Sequence, residues 1–300
     1  VLFVECNLNK ISYNINMITC NLMGGLGNQL FQIFTTLSYA MELYLPYKFL
    51  NTLSLGSGQA TIRPTYWGDF LINLQPYLTT HFPPLLFIKE KGFHYTDLKP
   101  FILAQKDKDI NLFGYFQSYK YFDKYKHDIC NQLCINIHKQ NIMNKLQLKQ
   151  EKLVKTISIH FRIGDYKPIQ DKHPILTYNY YHDALNYILK KSKEIEDIIF
   201  FCHDDDIEDT MIIINQLNQK FPTYKFCRAA PELCDWEQML YMSLCKNNII
   251  ANSTFSWWGA YLNSNKNKII CYPESWFGPG QSLDTSDLFL NDWIQIFSDH

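Results

Sequence analysis

Short apolar runs alternate with longer mixed segments in the second half of this chain. TISIHF (156–161), DIIFFC (197–202), YKFC (224–227), NNIIAN (247–252) and NKIICYP (267–273) are apolar and β-branched, and predict buried strands. Between them, 180–192, 206–220, 235–246 and 254–263 predict helices. Strand alternating with helix implies a parallel sheet with right-handed crossovers, an α/β domain of the doubly wound, nucleotide-binding type. Ligands of such sheets sit beyond the carboxyl ends of the strands, so the residues after each run are where chemistry is expected.

The first half is less regular. ITCNL (18–22) is a short apolar run, and MGGLGNQLFQ follows it at 23–32. From Asn28 to Tyr44, Leu30, Phe31, Phe34, Leu37, Ala40, Met41 and Tyr44 recur at helical spacing. The stretch 51–100 reads as loop-rich, with GSG at 56–58, Pro64, Pro76 and the pair Pro83-Pro84. Helical character returns over 119–150, where a polar stretch suits a surface helix or an interdomain connection. Met17 opens MITCNL just before the glycines, so 1–16 is expected to be peripheral. The division that follows is 1–16 as a peripheral segment, 17–150 as one domain and 151–300 as a second.

Composition narrows the function. A chain of 300 residues with 47% hydrophobic and 16% aromatic residues buries a full core. Lys+Arg 28 against Asp+Glu 29 leaves no global basic field, so a nucleic-acid partner is not expected. The 9 cysteines form no C-x-x-C pair and no zinc spacing, and suit buried thiols in a reducing compartment. The start lacks a signal-peptide pattern, and no window reaches the roughly 18 apolar residues of a membrane span. A cytoplasmic protein is therefore expected.

Four segments carry candidate chemistry. After the first strand of the second half come His160, Arg162 and Asp165. Alternation puts His160 and Arg162 on one side of the strand end, and a guanidinium there matches phosphate oxygens. A buried Arg-Asp pair closing a loop is the plainer alternative. HDDD (203–206) contains a D-x-D that could hold a divalent cation, or carboxylates that complement the dipole of the following helix. The second option is favoured. Ser253, Thr254, Phe255 and Ser256 open a helix just past a strand, which makes an anion site, with an ordinary N-cap as the alternative. Asn252-Ser253-Thr254 also forms a glycosylation sequon, discounted at such a junction. Gly24, Gly25, Gly27 and Asn28 lack both the third glycine of a dinucleotide fingerprint and the G-K-[ST] of a P-loop. Glu42 lies loosely where a ribose-binding acid could sit, so an NAD-type oxidoreductase stays open from this loop alone.

Taken together, GGLGNQLFQ, HFRIGDY and ANSTFSWWGAYL, followed by YPESWFG and DLFLNDWIQI, resemble the α1,2-fucosyltransferases of glycosyltransferase family 11. The resemblance runs in order from about 18 to 296. It implies a GT-B fold, two Rossmann-like domains facing a cleft, with 17–150 on the acceptor side and 151–300 binding GDP-fucose. It also implies an inverting, metal-independent transfer of L-fucose to the 2-hydroxyl of a terminal galactoside, with no cofactor. The family's H-x-R-R-x-D motif falls on His160, Arg162 and Asp165, and Ile163 stands at its second arginine. The resemblance makes Arg162 the ligand of the diphosphate and Ser253 to Ser256 part of the donor site. Asp235 or Glu237 would bind guanine. Asn28, next to Gln29 in the glycine loop, would face the reacting centre, as in the similar loop of the protein O-fucosyltransferases. Asp171 and His173 are the candidate bases. The rival readings are a metal-dependent transferase using Asp204–Asp206 and a non-catalytic GDP-sugar- or glycan-binding module, the latter suggested by Ile163.

Overall fold

The computed structural model of the protein describes residues 17–56, 62–105, 107–281 and 283–297. The expectation for residues 1–16 lies outside them. Strand β1 (Ile18–Cys20) leads into helix α1 (Leu26–Leu43). The short strands β2 (Phe49–Leu50), β3 (Ser54–Leu55), β4 (Arg63–Pro64) and β5 (Leu78–Thr79) follow, then β6 (Leu85–Lys89), α2 (Lys99–Leu103) and β7 (Asp109–Phe113). Helices α3 (Lys126–Gln132), α4 (Ile135–Lys145) and α5 (Gln150–Leu153) lead to the second half. There β8 (Thr156–His160), α6 (Tyr178–Lys191), β9 (Asp197–Phe201), α7 (Ile207–Lys220) and β10 (Lys225–Arg228) alternate. The chain continues through α8 (Asp235–Leu244), β11 (Asn247–Ile249), α9 (Thr254–Tyr261), β12 (Ile270–Pro273) and β13 (Ile294–Ile296).

The five apolar runs of the second half form β8 to β12. With β13 they make one parallel sheet in the order β10-β9-β8-β11-β12-β13. The chain starts in the centre at β8, moves outward through β9 and β10, then returns to the other side of β8 through β11. This is the doubly wound order whose switch point lies between the first and fourth strands, here β8 and β11. Their registry, Ile159 opposite Ile249, brings the residues following each strand to the same end of the sheet.

The first half departs from the loop-rich reading. β1, β7 and β6 form a parallel sheet of three strands. β6 is only five residues long, follows Pro83-Pro84 and sits at the sheet edge with half-exposed side chains, so its pattern is weak. The polar stretch 119–150 is helical in short pieces, interrupted at Cys134, which adopts φ 53°.

Helices α6 and α7 pack on one face of the large sheet, against Ile157, Ile159, Ile198 and Phe200. On the other face, α8 and α9 join a cluster that also contains α1, α3 and α4. Its centre is aromatic: Phe31 lies 4.5 Å from Trp257 and Phe34 lies 4.5 Å from Trp258, ring centroid to centroid. Both tryptophans are fully buried. Each such side chain contributes about 2 kcal/mol or more by burial, so α1 and α9 are held firmly against each other. That packing fixes the two helix starts, Leu26 and Thr254, side by side.

Candidate functional site

A cleft of about 780 Å³ opens where these helix starts meet the carboxyl ends of β8 and β11. His160, Arg162, Asp165, Ser253, Thr254 and Phe255 line it from the large sheet, and Gly24, Gly25, Gly27 and Asn28 line it from the first half. Chain topology explains the meeting. Arg162 follows the first strand of the doubly wound order and Ser253 follows the fourth, so residues 91 positions apart become neighbours.

Arg162 donates from Nη2 to Asp165 Oδ2, lies 5.7 Å from the centre of the Tyr166 ring, and keeps its Nε buried without a partner among the described residues. Tyr166 in turn donates to the Asn252 carbonyl at 2.9 Å. The guanidinium is thus oriented by a carboxylate and a ring while part of its donor capacity stays unspent. His160 is 5% exposed, and its Nδ1 is buried without a partner among the described residues. Burial, and then the neighbouring Arg162 charge, push its imidazole down to about 3, so the ring is neutral at physiological pH.

At α9, Ser253 is the N-cap: its hydroxyl accepts the Phe255 N–H at 3.4 Å. The first N–H groups of the helix have no partner within the helix, and its dipole adds positive potential there. Ser256 departs from the expectation. It is fully buried, does not line the cleft, and donates to the Ala251 and Ser253 carbonyls, each at 3.3 Å. Helical periodicity turns that hydroxyl into the core, one turn behind the cap. Asn252 is 2% exposed and holds the Pro174 carbonyl at 2.9 Å, which leaves its sequon inaccessible.

The glycine loop is closed by its own glutamines. Gln32 Oε1 accepts the Met23 N–H at 2.8 Å, and Gln29 Nε2 donates to the Gly24 carbonyl at 3.1 Å and the Pro64 carbonyl at 2.9 Å. Gly24 adopts φ +76°, and a Cβ there would lie 2.5 Å from Asn28 Nδ2. A Cβ on Gly27 would lie 2.5 Å from the Thr254 carbonyl carbon, and the Gly27 carbonyl accepts Trp258 Nε1–H at 2.8 Å. Glycine at 27 is therefore the residue that lets α1 touch α9. Asn28 Oδ1 accepts from Thr254 Oγ1 at 2.9 Å and from Gln117 Nε2 at 3.1 Å, while its Nδ2 has no hydrogen-bond partner among the described residues. The Asn28 amide thus has its acceptor occupied and its donor, which lies against Gly24, still unspent.

The acidic candidates separate. Asp235 lines the cleft, accepting the Tyr66 hydroxyl. Glu237 does not: it accepts the Cys234 N–H at 3.0 Å in a capping box and pairs with Lys145 at 2.8 Å. Three positions along a helix turns the carboxylate back over the first turn. Asp204, Asp205 and Asp206 diverge. Asp204 pairs with Arg228, Asp205 faces His203 at 3.4 Å, and buried Asp206 accepts the Ile163 N–H at 3.4 Å. None makes a side-chain cap bond to α7, so their role at that helix is electrostatic rather than hydrogen-bonded. No group of three or more His, Cys, Asp or Glu among the described residues converges to hold a metal ion. Glu42 sits at the far end of α1, about 24 Å from its start, and pairs with Lys99 and Lys124. That removes it from any ribose at the loop.

His173 lines the cleft, stacked 4.9 Å from Tyr166, and burial lowers its pKa. Asp171 does not line it. Sequence reasoning missed Arg63, Tyr66 and Gln117, which also line the cleft. They come from the irregular first half, and no local pattern marks them. Among the described residues the eight cysteines are free, and no helix is long and apolar enough to cross a membrane.

The chain is 34% identical over 191 residues to the O-antigen biosynthesis glycosyltransferase WbnK of Escherichia coli, a match that covers 62% of this chain and 60% of that protein. It is 25% identical over 302 residues to an alpha-1,2-colitosyltransferase of Escherichia coli, covering 94% of this chain and 99% of the relative. In fold it resembles Arabidopsis thaliana FUT1, solved as a mutant in complex with GDP, with a TM-score of 0.50 at 10% identity over 87% of this chain and 71% of that one. The architecture is GT-B, mixed α/β with parallel sheets. The family profile of glycosyl transferase family 11 matches residues 88–297, and the chain belongs to that family of glycosyltransferases.

Proposed function

We propose that the protein transfers L-fucose from GDP-β-L-fucose to the 2-hydroxyl of a terminal galactoside with inversion, without a metal. The observation that carries this reading is the convergence of Arg162 and the start of α9 at one switch point, with Asn28 bonded to Thr254 across from them. As the sugar leaves, negative charge builds on the diphosphate. A guanidinium fork and a helix N-terminus are preorganised donors for that charge. Asp235 would accept from the guanine edge in place of the Tyr66 hydroxyl, and His160 would serve as an uncharged wall of the donor site. Residues 17–150 would supply the acceptor side and 151–300 the donor side.

Asn28 is no base, because an amide does not abstract a proton; its free Nδ2 would hold the acceptor or leaving oxygen. His173, kept neutral by burial, is the loop group in the cleft able to take a proton from the acceptor. The alpha-1,2-colitosyltransferase relative favours one second reading, the same α1,2 linkage with colitose as the sugar. A donor screen with GDP-fucose and GDP-colitose against β-galactosides, in EDTA, tests both. GDP release and an α1,2-linked product by NMR are expected. No transfer from either donor would refute the assignment, and activity that requires added metal would return Asp204–Asp206 to consideration.

A further inference from the structure

We propose that Arg63 supplies a second guanidinium to the departing diphosphate, from the wall opposite Arg162, in a chain that has Ile163 where the motif carries its second arginine. The inference rests on the donor reading above. Ile163 is 5% exposed, packs in the apolar cluster beside α6, and has its N–H on the Asp206 carboxylate. Position 163 therefore contributes neither charge nor direction to the cleft.

Arg63 lies at the start of β4 and lines the cleft. Its Nη2 is 3.8 Å from Asp165 Oδ2, the same oxygen that Arg162 Nη2 holds. The Arg63 and Asp165 side chains are 37% and 45% exposed, so water screens this long pair and it adds little to stability. Among the described residues the Arg63 guanidinium makes no hydrogen bond. Two guanidiniums facing one carboxylate leave a net positive charge, with one planar fork from each wall still able to bind an anion.

The backbone beneath Arg63 is fixed. The next residue is Pro64, which restricts Arg63 to extended conformations. The Pro64 carbonyl is held by buried Gln29, the residue that also ties the Gly24 carbonyl. Three residues beyond Arg63, Tyr66 donates to Asp235. The segment 63–66 is thus anchored on the glycine loop and on the far wall, and the Arg63 side chain alone needs to turn from Asp165 to a phosphate.

The test compares GDP with guanosine, which lacks the phosphates, on wild type, Arg63→Ala, Arg63→Lys and Arg162→Ala. GDP is titrated by calorimetry and guanosine by ligand-observed NMR. Arg63→Ala should weaken GDP by roughly ten- to a hundredfold, the range for charge-assisted hydrogen bonds, with guanosine within about threefold of wild type. Arg63→Lys should recover part of the loss, since it restores charge without the fork. GDP affinity within about twofold of wild type in Arg63→Ala, or equal losses for GDP and guanosine, would overturn the role of Arg63 as a phosphate ligand. If Arg162→Ala also leaves GDP binding intact, the donor reading itself fails, and this inference with it.

Discussion

The wall built on the large sheet and the wall built around the glycine loop reach the same cleft by different means. In the large sheet, backbone topology does the placing: Arg162 and Ser253 meet because β8 and β11 pair in register at the switch point. In the first half, side-chain clasps do it. Gln32 closes the loop, Gln29 ties it to Pro64, and Gln117 reaches Asn28 from 89 residues away. The first wall should tolerate damage to single polar contacts. The second should lose its geometry when one buried amide is removed.

The sharpest test of the first wall is Arg162→Ala. It should lower turnover by about a hundredfold or more, as removal of a preorganised charge partner does, and weaken GDP while leaving the thermal transition near wild type. Steady-state kinetics with calorimetry checks this, and near-normal turnover would mean the sheet does not carry the donor site. On the second wall, Asn28→Ala should reduce turnover by roughly ten- to a hundredfold with GDP affinity within about threefold. A parallel loss of GDP affinity would place Asn28 with the donor-binding wall instead.

Gln29→Ala is the test of the clasp. It removes the donor shared by the half-buried Gly24 carbonyl and the exposed Pro64 carbonyl, at a cost of about 1 kcal/mol, and should slow turnover less than Asn28→Ala. Denaturant unfolding reads the first effect, and an unchanged midpoint would show that the loop holds itself.

Near neutral pH the smallest effect expected is a pH dependence at His160. Its folded pKa is depressed to about 3 from an unfolded value near 6.5. Between those values the unfolded chain binds a proton that the folded chain refuses, so stability is lost as pH falls from 6.5. The slope is at most about 1.4 kcal/mol per pH unit, and His160→Gln should remove that share of it. Equal slopes for the two proteins would mean that His160 is not held neutral by burial.

The same contrast explains what the sequence made legible. Parallel strands buried on both faces announce themselves as apolar runs, and the strand-end rule then points to His160, Arg162 and Ser253 without any contact information. Ser256 lies in the core, and proximity in sequence says nothing about which face of a helix turn a hydroxyl occupies. Only the capping box, invisible to sequence spacing, separates Glu237 from Asp235. β6 escaped notice as a short, half-exposed edge strand, and β13 because Ile294–Ile296 is only three residues long. Arg63, Tyr66 and Gln117 are hidden for a deeper reason: the segment carrying Arg63 and Tyr66 is held by Gln29 on Pro64 and by Tyr66 on Asp235, and Gln117 by Asn28, through hydrogen bonds spanning tens to more than a hundred residues, with no period for a pattern to report.

In the proposed donor site, the diphosphate of a guanine nucleotide lies at the β8–β11 switch point, facing the glycine loop. A crystal structure of the protein with GDP tests it most directly. Phosphate oxygens are expected within hydrogen-bond distance of Arg162 and of the first N–H groups of α9, with the base directed toward Asp235. A diphosphate bound away from both Arg162 and Thr254, or held at Asp204–Asp206 through a metal ion, would contradict it.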